Sequence, residues 1–286
     1  MQDPNSYCEE KAAAPGSDFT IARLFAPAEI RGELTALHAL YNELMNVAYS
    51  VSDPAVARAK LGWWREEVDR AFHGRPGHPV MQALEAAIES RRVTRGDLEA
   101  LVAGALHNVD PDVFQDEVEL DAFCHATGGM RGRAEARLAG AGNSGIEAAS
   151  ALGAASAGVM LLHLMPHDLA RGRLFVPMGA LARHQVSRAR LQSRERGPAQ
   201  DALIRDRSQR ARAALREAEA AVRPEDGDRL RHLLVQAALD RARVKRIART
   251  GAGALNSPPR LSPVSRLFVA WRAAGRAQRN YLKAER

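Results

Sequence analysis

Residues 163–177, HLMPHDLARGRLFVP, bring together side chains that can bind anions. One carboxylate, Asp168, is followed closely by the guanidinium groups of Arg171 and Arg173. Pro166 lacks a backbone N–H, so we expect the apolar helix before it to kink or end there and to present these charges at its mouth. The cluster is then either an anion-binding site at the opening of a pocket or a helix end that carries solvated charges.

The two histidines of this stretch, His163 and His167, lie four residues apart and therefore share one face of a helix. A transition metal would need at least one further ligand, and no third ligand is evident. We therefore predict that the chain has no metal site and no cofactor.

Helices must position this cluster, because the composition favours helix almost throughout. The 286 residues are 46% hydrophobic but only 5% aromatic, with few runs of β-branched residues. This is enough apolar sequence for a substantial core. Since the chain shows no repeat and no strand-like alternation, we predict a single all-α domain over residues 1–286, with roughly ten helices around a central cavity.

Apolar spacing and capping residues give approximate bounds for the elements. Residues 1–16 are expected to be loosely ordered, with a short helix over residues 7–14 as the alternative. Helices are predicted over residues 27–51, 54–73, 79–90, 94–107, 118–138, 148–165, 178–183, 199–222, 224–249 and 264–285. Gly128, Gly129 and Gly132 interrupt the register of the helix over residues 118–138.

The net charge and the cysteine content indicate the kind of partner and the cellular compartment. A formal net charge of +7 and a pI of about 10.0 suit anionic partners. Cys8 and Cys124 fit neither a disulfide framework nor a zinc site, and the first residues lack the pattern of a secretory signal. The uncharged residues 148–165 include Gly153 and Gly158, which favours a buried helix over a membrane span. We expect a cytoplasmic protein.

Five segments carry a resemblance to a known family. They are SDFTIARLFAP (residues 17–27), ALHALYNELMNVA (36–48), SDPAVARAKLGWWREEVDRAFHGRPGHPV (52–80), FCHATGGMRG (123–132) and RGRLFVPMGALARHQVS (171–187). Together they resemble the squalene and phytoene synthase family of head-to-head prenyl synthases, which implies an isoprenoid-synthase-like helical bundle. In that family, aspartates on two facing helices hold Mg²⁺ against the diphosphates of two prenyl donors, because the leaving group needs its charge neutralised.

At the family's metal-binding positions the sequence departs from the aspartate pattern. Met45 and Tyr49 replace two aspartates of the first motif, and Leu164 and His167 replace two acids of the second. Methionine and leucine cannot supply the hard oxygen ligands that Mg²⁺ prefers. The positions implied to line the cavity are Asn42, Met45, Asn46, Tyr49, Arg131, Leu164 and His167. The residues left to bind a diphosphate or another anion are Asp168, Arg171 and Arg173.

Two functions remain open. The first is a non-catalytic or chemically altered relative that binds an isoprenoid or another anionic small molecule, or that assists the assembly of a partner complex. It resembles the branch of the family that assists assembly of respiratory complex I. The second is a prenyltransferase that joins two prenyl diphosphates through an altered metal site, in which Asp168, Glu43 and the arginines recruit Mg²⁺ and diphosphate. Arg131 stands where the cavity wall usually has a valine-like residue, and it would either fill the tunnel or turn outward.

The arginine-rich helices do not predict nucleic-acid binding, because no recognised motif or stacking aromatics accompany them. The last predicted helix, residues 264–285, is basic and amphipathic, and it surrounds Leu267, Phe268 and Trp271 with arginines. It either rests on an anionic membrane, as a peripheral contact at the inner face, or packs on the bundle through those three side chains.

Overall fold

The computed structural model of the chain describes the backbone of residues 3–111 and 113–284 and, among these, the side chains up to residue 279. Over these residues the elements are helices joined by turns and loops, and no strand occurs, which confirms the predicted all-α class. Residues 1–2 of the predicted loose N-terminus and residue 285 of the predicted last helix lie outside the described residues.

The first half of the chain forms nine α-helices among the described residues. They are α1 (Pro4–Ala12), α2 (Asp18–Ala22), α3 (Arg31–Ser50), α4 (Pro54–Phe72), α5 (Pro79–Ala83), α6 (Glu85–Glu89), α7 (Arg95–Val109), α8 (Glu117–Cys124) and α9 (Met130–Leu138). Short 3₁₀ turns, Arg23–Phe25 and Ala28–Ile30, connect α2 to α3. The single helix predicted over residues 79–90 is divided into α5 and α6 at Leu84.

The second half adds α10 (Asn143–Ala170), α11 (Met178–Arg183), α12 (Arg188–Gln192), α13 (Pro198–Ala220), α14 (Arg231–Thr250) and α15 (Pro263–Ala284). Two large apolar cores result. One lies among helices of the first half, chiefly α3, α4 and α7, and the other among α10, α13 and α14. Helix α9 contributes Ala134 and Leu138 to the first core and Ala136 to the second, so the two cores share a helix.

The N-terminal segment is more ordered than the sequence predicted. Asp3 caps α1 by accepting a hydrogen bond from the Ser6 N–H at 2.9 Å, and Pro4 occupies the first helical position, where a missing N–H costs nothing. Cys8 and Ala12 are buried against the first core. The expectation of loose order is therefore wrong for residues 4–12, where the alternative, a short helix, forms earlier in the chain than expected because it packs on α3.

Glycines let the segment around α9 approach α10 closely. The helix predicted over residues 118–138 is divided by a π-helical turn, His125–Gly129, between α8 and α9. A Cβ atom on Gly153 would lie 2.9 Å from the carbonyl carbon of Gly128, and one on Gly132 would lie 2.9 Å from that of Ala149. The two helical segments are therefore in backbone contact, and only glycine fits at these positions.

Of the two outcomes expected at Pro166, a kink or an end, the end does not occur: helix α10 continues one turn further to Ala170. Packing on its neighbours holds the helix together where the proline removes one hydrogen bond. By length and apolar composition α10 could cross a membrane. Of its apolar 18-residue segment, 61% is buried inside the bundle.

Helix α15 packs through alanines rather than through its large side chains. Ala270, Ala273, Ala274 and Ala277 are buried against α14 and α2. Leu267, Phe268 and Trp271 are 55%, 54% and 68% exposed. The alternative in which these three side chains fix the helix to the bundle is therefore wrong.

Candidate functional site

Asp168 is the acid around which the candidate site is built. It lies in the last turn of α10 and is only 1% exposed. Its Oδ1 atom lies 3.9 Å from Nε of Arg173, and neither carboxylate oxygen accepts a hydrogen bond from a described residue. Burial raises the pKa of Asp168 to about 6, against the opposing effect of Arg173 and then Arg171. The carboxyl group is therefore mostly ionised at neutral pH and becomes protonated as the pH falls through about 6.

Arg173 connects three helices at this site. Its Nη2 atom donates a hydrogen bond to the backbone carbonyl of Asn108 at the end of α7, at 2.8 Å. Its guanidinium lies 4.4 Å from the ring centre of Tyr49 on α3 and 5.2 Å from that of Phe175. Tyr49 is itself largely buried, and burial followed by the charge of Asp168 raises its pKa. The guanidinium is thus already held by an acid, a carbonyl and two rings.

Arg171 points away from this cluster. Its Nη1 atom lies 3.1 Å from Nδ1 of His167, and both side chains are exposed. Burial, followed by the charges of Arg171 and Arg173, lowers the pKa of His167. The structure therefore divides the predicted cluster, with Asp168 and Arg173 inside and Arg171 and His167 on the surface.

Two further arginines stabilise the chain at the end of α10. Arg194 donates to the carbonyl of Pro166 at 2.9 Å, and Arg188 donates to the carbonyl of Gly172 at 2.7 Å. Gly172 has a φ of 72°, the left-handed conformation that ends many helices. These arginines neutralise carbonyls at the negative end of the helix, and sequence reasoning did not single them out.

The remaining motif positions offer amides and apolar groups. Asn42 on α3 donates to the carbonyl of Lys11 at 3.0 Å, and Asn46 accepts from the hydroxyl of Ser50 at 2.7 Å. Met45 is partly buried against the first core, and Leu164 is half-buried on α10. None of these four side chains is an acid, so none adds a second carboxylate to that of Asp168.

A buried charge network lies between α3, α9 and α14. Arg131 points inward, with its side chain 13% exposed, and lies 3.3 Å from Glu135 and 5.3 Å from the ring centre of Tyr41. Glu135 also lies 3.6 Å from Nε2 of His232. Although burial raises the pKa of Glu135, Arg131 and then His232 outweigh it and hold that pKa at about 2. Burial, then Arg131, lowers the pKa of the adjacent His38 to about 3, so this imidazole is neutral.

The residues at the motif positions do not fit a magnesium–diphosphate cluster. Mg²⁺ requires near-octahedral oxygen coordination. Among the described residues, no group of three or more His, Cys, Asp or Glu side chains converges. Asp168 is the one acid described at the motif positions, and it faces the guanidinium of Arg173. The absence of a cofactor stays a prediction.

The bundle has three cavities of 520, 400 and 260 Å³, and the largest of these reaches Phe175 beside the candidate site. The 520 Å³ cavity lies between α8, α10 and α13 and is lined mainly by small apolar side chains. As far as the described residues go, no motif-position side chain lines any of these three.

The raised pKa of Asp168 makes a prediction about stability. Its folded pKa, about 6, exceeds the unfolded value of 3.8, so its stabilising contribution is complete below pH 3.8 and is lost as the pH rises through about 6. Asp168→Asn should therefore raise the free energy of unfolding at pH 7.5 by about 3 kcal/mol, and by less than about 1 kcal/mol at pH 4. Urea denaturation at both pH values measures this.

Asp121→Asn is the control for Asp168→Asn, because the Asp121 side chain is 67% exposed and only 3.9 Å from one arginine. It should leave stability unchanged at both pH values. A loss of stability in Asp168→Asn at pH 7.5 would show that the Arg173 ion pair outweighs the cost of burial.

Similarity to solved structures identifies the fold class of the chain. The chain is similar to the crystal structure of a dehydrosqualene synthase in complex with ligand, with a TM-score of 0.84 over 96% of this chain and 97% of that one, at 16% identity. It is also similar to squalene synthase HpnC from Alicyclobacillus acidocaldarius, with a TM-score of 0.74 over 87% and 94%, at 21% identity. These likenesses show an isoprenoid-synthase-type helical fold.

Residues 12–267 match the family model of squalene/phytoene synthase, and the chain belongs to this family. It is 26% identical over 208 residues to the rat protein "NADH dehydrogenase (ubiquinone) complex I, assembly factor 6". The matched residues make up 72% of this chain and 61% of that relative. It is 28% identical over 215 residues to phytoene synthase from Thermus thermophilus, which covers 73% and 71%. The chain thus spans about three fifths of the length of the assembly-factor relative.

Proposed function

We propose that this chain is a non-catalytic or chemically altered member of the squalene/phytoene synthase family, one that assists the assembly of a partner complex. The observation that carries this proposal is the pairing of Asp168 with Arg173. An acid that faces a buried guanidinium is poorly placed to share a metal cluster, and the facing positions on α3 are Met45 and Tyr49. The isoprenoid-type bundle then serves for binding rather than for bond formation.

The charge balance of the site supports this proposal. Ionisation of a prenyl diphosphate requires that several negative charges be neutralised in an apolar pocket. Arg173 is already held by Asp168, by the Asn108 carbonyl and by two aromatic rings, whereas Arg171 is exposed. An isoprenoid or another anionic small molecule that approaches the end of α10 would contact Arg171 first and would be bound there rather than converted.

The proposed role in assembly is based on the relatives of this chain. The assembly factor that this chain resembles is named for NADH dehydrogenase complex I, so that complex is the partner that we propose. The proposal gives the protein a cytoplasmic location, with a peripheral membrane contact, and it involves no nucleic acid.

Deletion of the gene that encodes this chain should reduce the amount of assembled complex on a native gel. The wild-type chain and Asp168→Asn should both restore it, because no catalytic acid is needed.

The alternative is an active prenyltransferase with an altered metal site, which is favoured by the retention of Asp168 and by the similarity to phytoene synthase. We expect no C30 or C40 product when the protein is incubated with Mg²⁺ and farnesyl or geranylgeranyl diphosphate. The reason is that the described site offers one acid where a metal cluster needs several. Product analysis by mass spectrometry measures this.

The Thermus thermophilus phytoene synthase serves as the positive control for the product assay. A product that disappears in Asp168→Asn would establish the alternative and refute the proposed function. A product that persists in Asp168→Asn would also refute it and would place the chemistry elsewhere on the chain.

A further inference from the structure

Helix α15 has two faces of different chemistry. One face consists of small residues, Ala270, Ala273, Ala274 and Ala277, which are 1%, 7%, 6% and 6% exposed. This face packs on α14 and α2, and Arg266 adds a contact to Asp18 at 3.5 Å. The helix is therefore held to the bundle without using its large side chains.

A second, exposed face carries a row of large apolar side chains, which we call the outer stripe: Val264, Leu267, Phe268 and Trp271. They are 77%, 55%, 54% and 68% exposed. Their spacing of three and four residues places them side by side along one face of the helix. A continuous exposed apolar row of this kind, unlike scattered single residues, marks an interaction surface.

Arginines border the outer stripe on one side. Helical geometry places Arg272 and Arg279 next to it, with Arg276 further round the helix, and the guanidinium of Arg272 lies 5.6 Å from the ring centre of Phe268. Helix α15 contains no Asp or Glu. Within the described part of the chain, no carboxylate forms an ion pair with any of these three arginines. The surface thus combines apolar side chains with unneutralised positive charge.

We propose that the outer stripe of α15 docks on an anionic lipid bilayer. Tryptophan, phenylalanine and leucine can insert at the boundary between headgroups and acyl chains, while the arginines remain at the level of the phosphates. A second copy of the chain fits this surface less well, because a two-fold contact would bring the arginines together without any acid on the helix to pair with them. The inference rests on the peripheral membrane contact of the proposed function and assigns that contact to α15, but it does not depend on the role in assembly, since an enzyme and an assembly protein can both dock in this way.

Vesicle co-sedimentation of the full chain tests the proposal. Wild type should bind vesicles of phosphatidylcholine with about one third phosphatidylglycerol and should bind pure phosphatidylcholine weakly. Leu267→Ser/Trp271→Ser should reduce binding to the anionic vesicles by at least about tenfold, because two inserted side chains are lost. Arg272→Gln/Arg279→Gln should remove most of the preference for anionic lipid, roughly tenfold in affinity.

Val118→Ser/Met178→Ser is the matched control, because it removes two exposed apolar side chains, 75% and 41% exposed, from other helices. It should bind as wild type does, and circular dichroism melts should show all variants folded. Failure of wild type to bind anionic vesicles, or unchanged binding by Leu267→Ser/Trp271→Ser, would overturn the proposal. So would a vesicle-free dimer, seen by light scattering, that the same variant abolishes, because the stripe would then be an interface between copies.

Discussion

Gly153→Ala should destabilise the protein by about 3 kcal/mol or more, or prevent folding altogether. The added Cβ atom would lie 2.9 Å from the carbonyl carbon of Gly128 and 3.2 Å from the amide nitrogen of Gly132, and still closer to the carbonyl oxygen of Gly128. All of these are backbone atoms, which cannot rotate away as a side chain can. The π-helical turn, α9 and α10 would have to separate. Urea denaturation followed by circular dichroism measures the loss.

Gly158→Ala provides the control on the same helix. A Cβ atom at Gly158 would meet no heavy atom within 4 Å. Alanine loses less backbone entropy than glycine when a helix forms, so this variant should gain about 0.5–1 kcal/mol. If Gly153→Ala were as stable as wild type, the close backbone contact between α10 and the π-helical turn would be refuted.

Glu135→Gln should lower the free energy of unfolding by about 3 kcal/mol at pH 7, because it leaves the buried charge of Arg131 without its acid. Glutamine has nearly the same volume, so the loss reports charge rather than packing. The folded pKa of Glu135, about 2, is below its unfolded value of 4.5. Its contribution is therefore present above pH 4.5 and is lost as the pH falls toward 2. The difference between wild type and Glu135→Gln should shrink over that interval of pH.

Glu147→Gln is the control for Glu135→Gln. Glu147 also pairs with an arginine of α9, Arg133, at 2.8 Å, but its side chain is 71% exposed. Solvent screening limits such a pair to at most about 1 kcal/mol. Equal losses for the two glutamine variants would contradict the assignment of Glu135 to a buried charge network.

The candidate site was only partly predictable from the sequence. Asp168 and Arg173 were expected to act together, and their side chains lie 3.9 Å apart. Arg171 was placed in the same cluster, but the chain turns at Gly172 and leaves it on the surface with His167. Asn108 lies more than sixty positions before Arg173 in the chain, so no local spacing could have indicated its carbonyl as a partner.

The sequence by itself determined the all-α class, the approximate order of the helices, the buried character of α10 and the family, because helical periodicity and capping are local properties of neighbouring residues. Only the tertiary structure decided which charges meet. The inward position of Arg131, its pairing with Glu135 and the contact of Glu135 with His232, almost a hundred residues away, depend on how α9 and α14 pack. Packing also decided which face of α15 is buried. Its alanines fit closely against α14, and that choice left Leu267, Phe268 and Trp271 exposed.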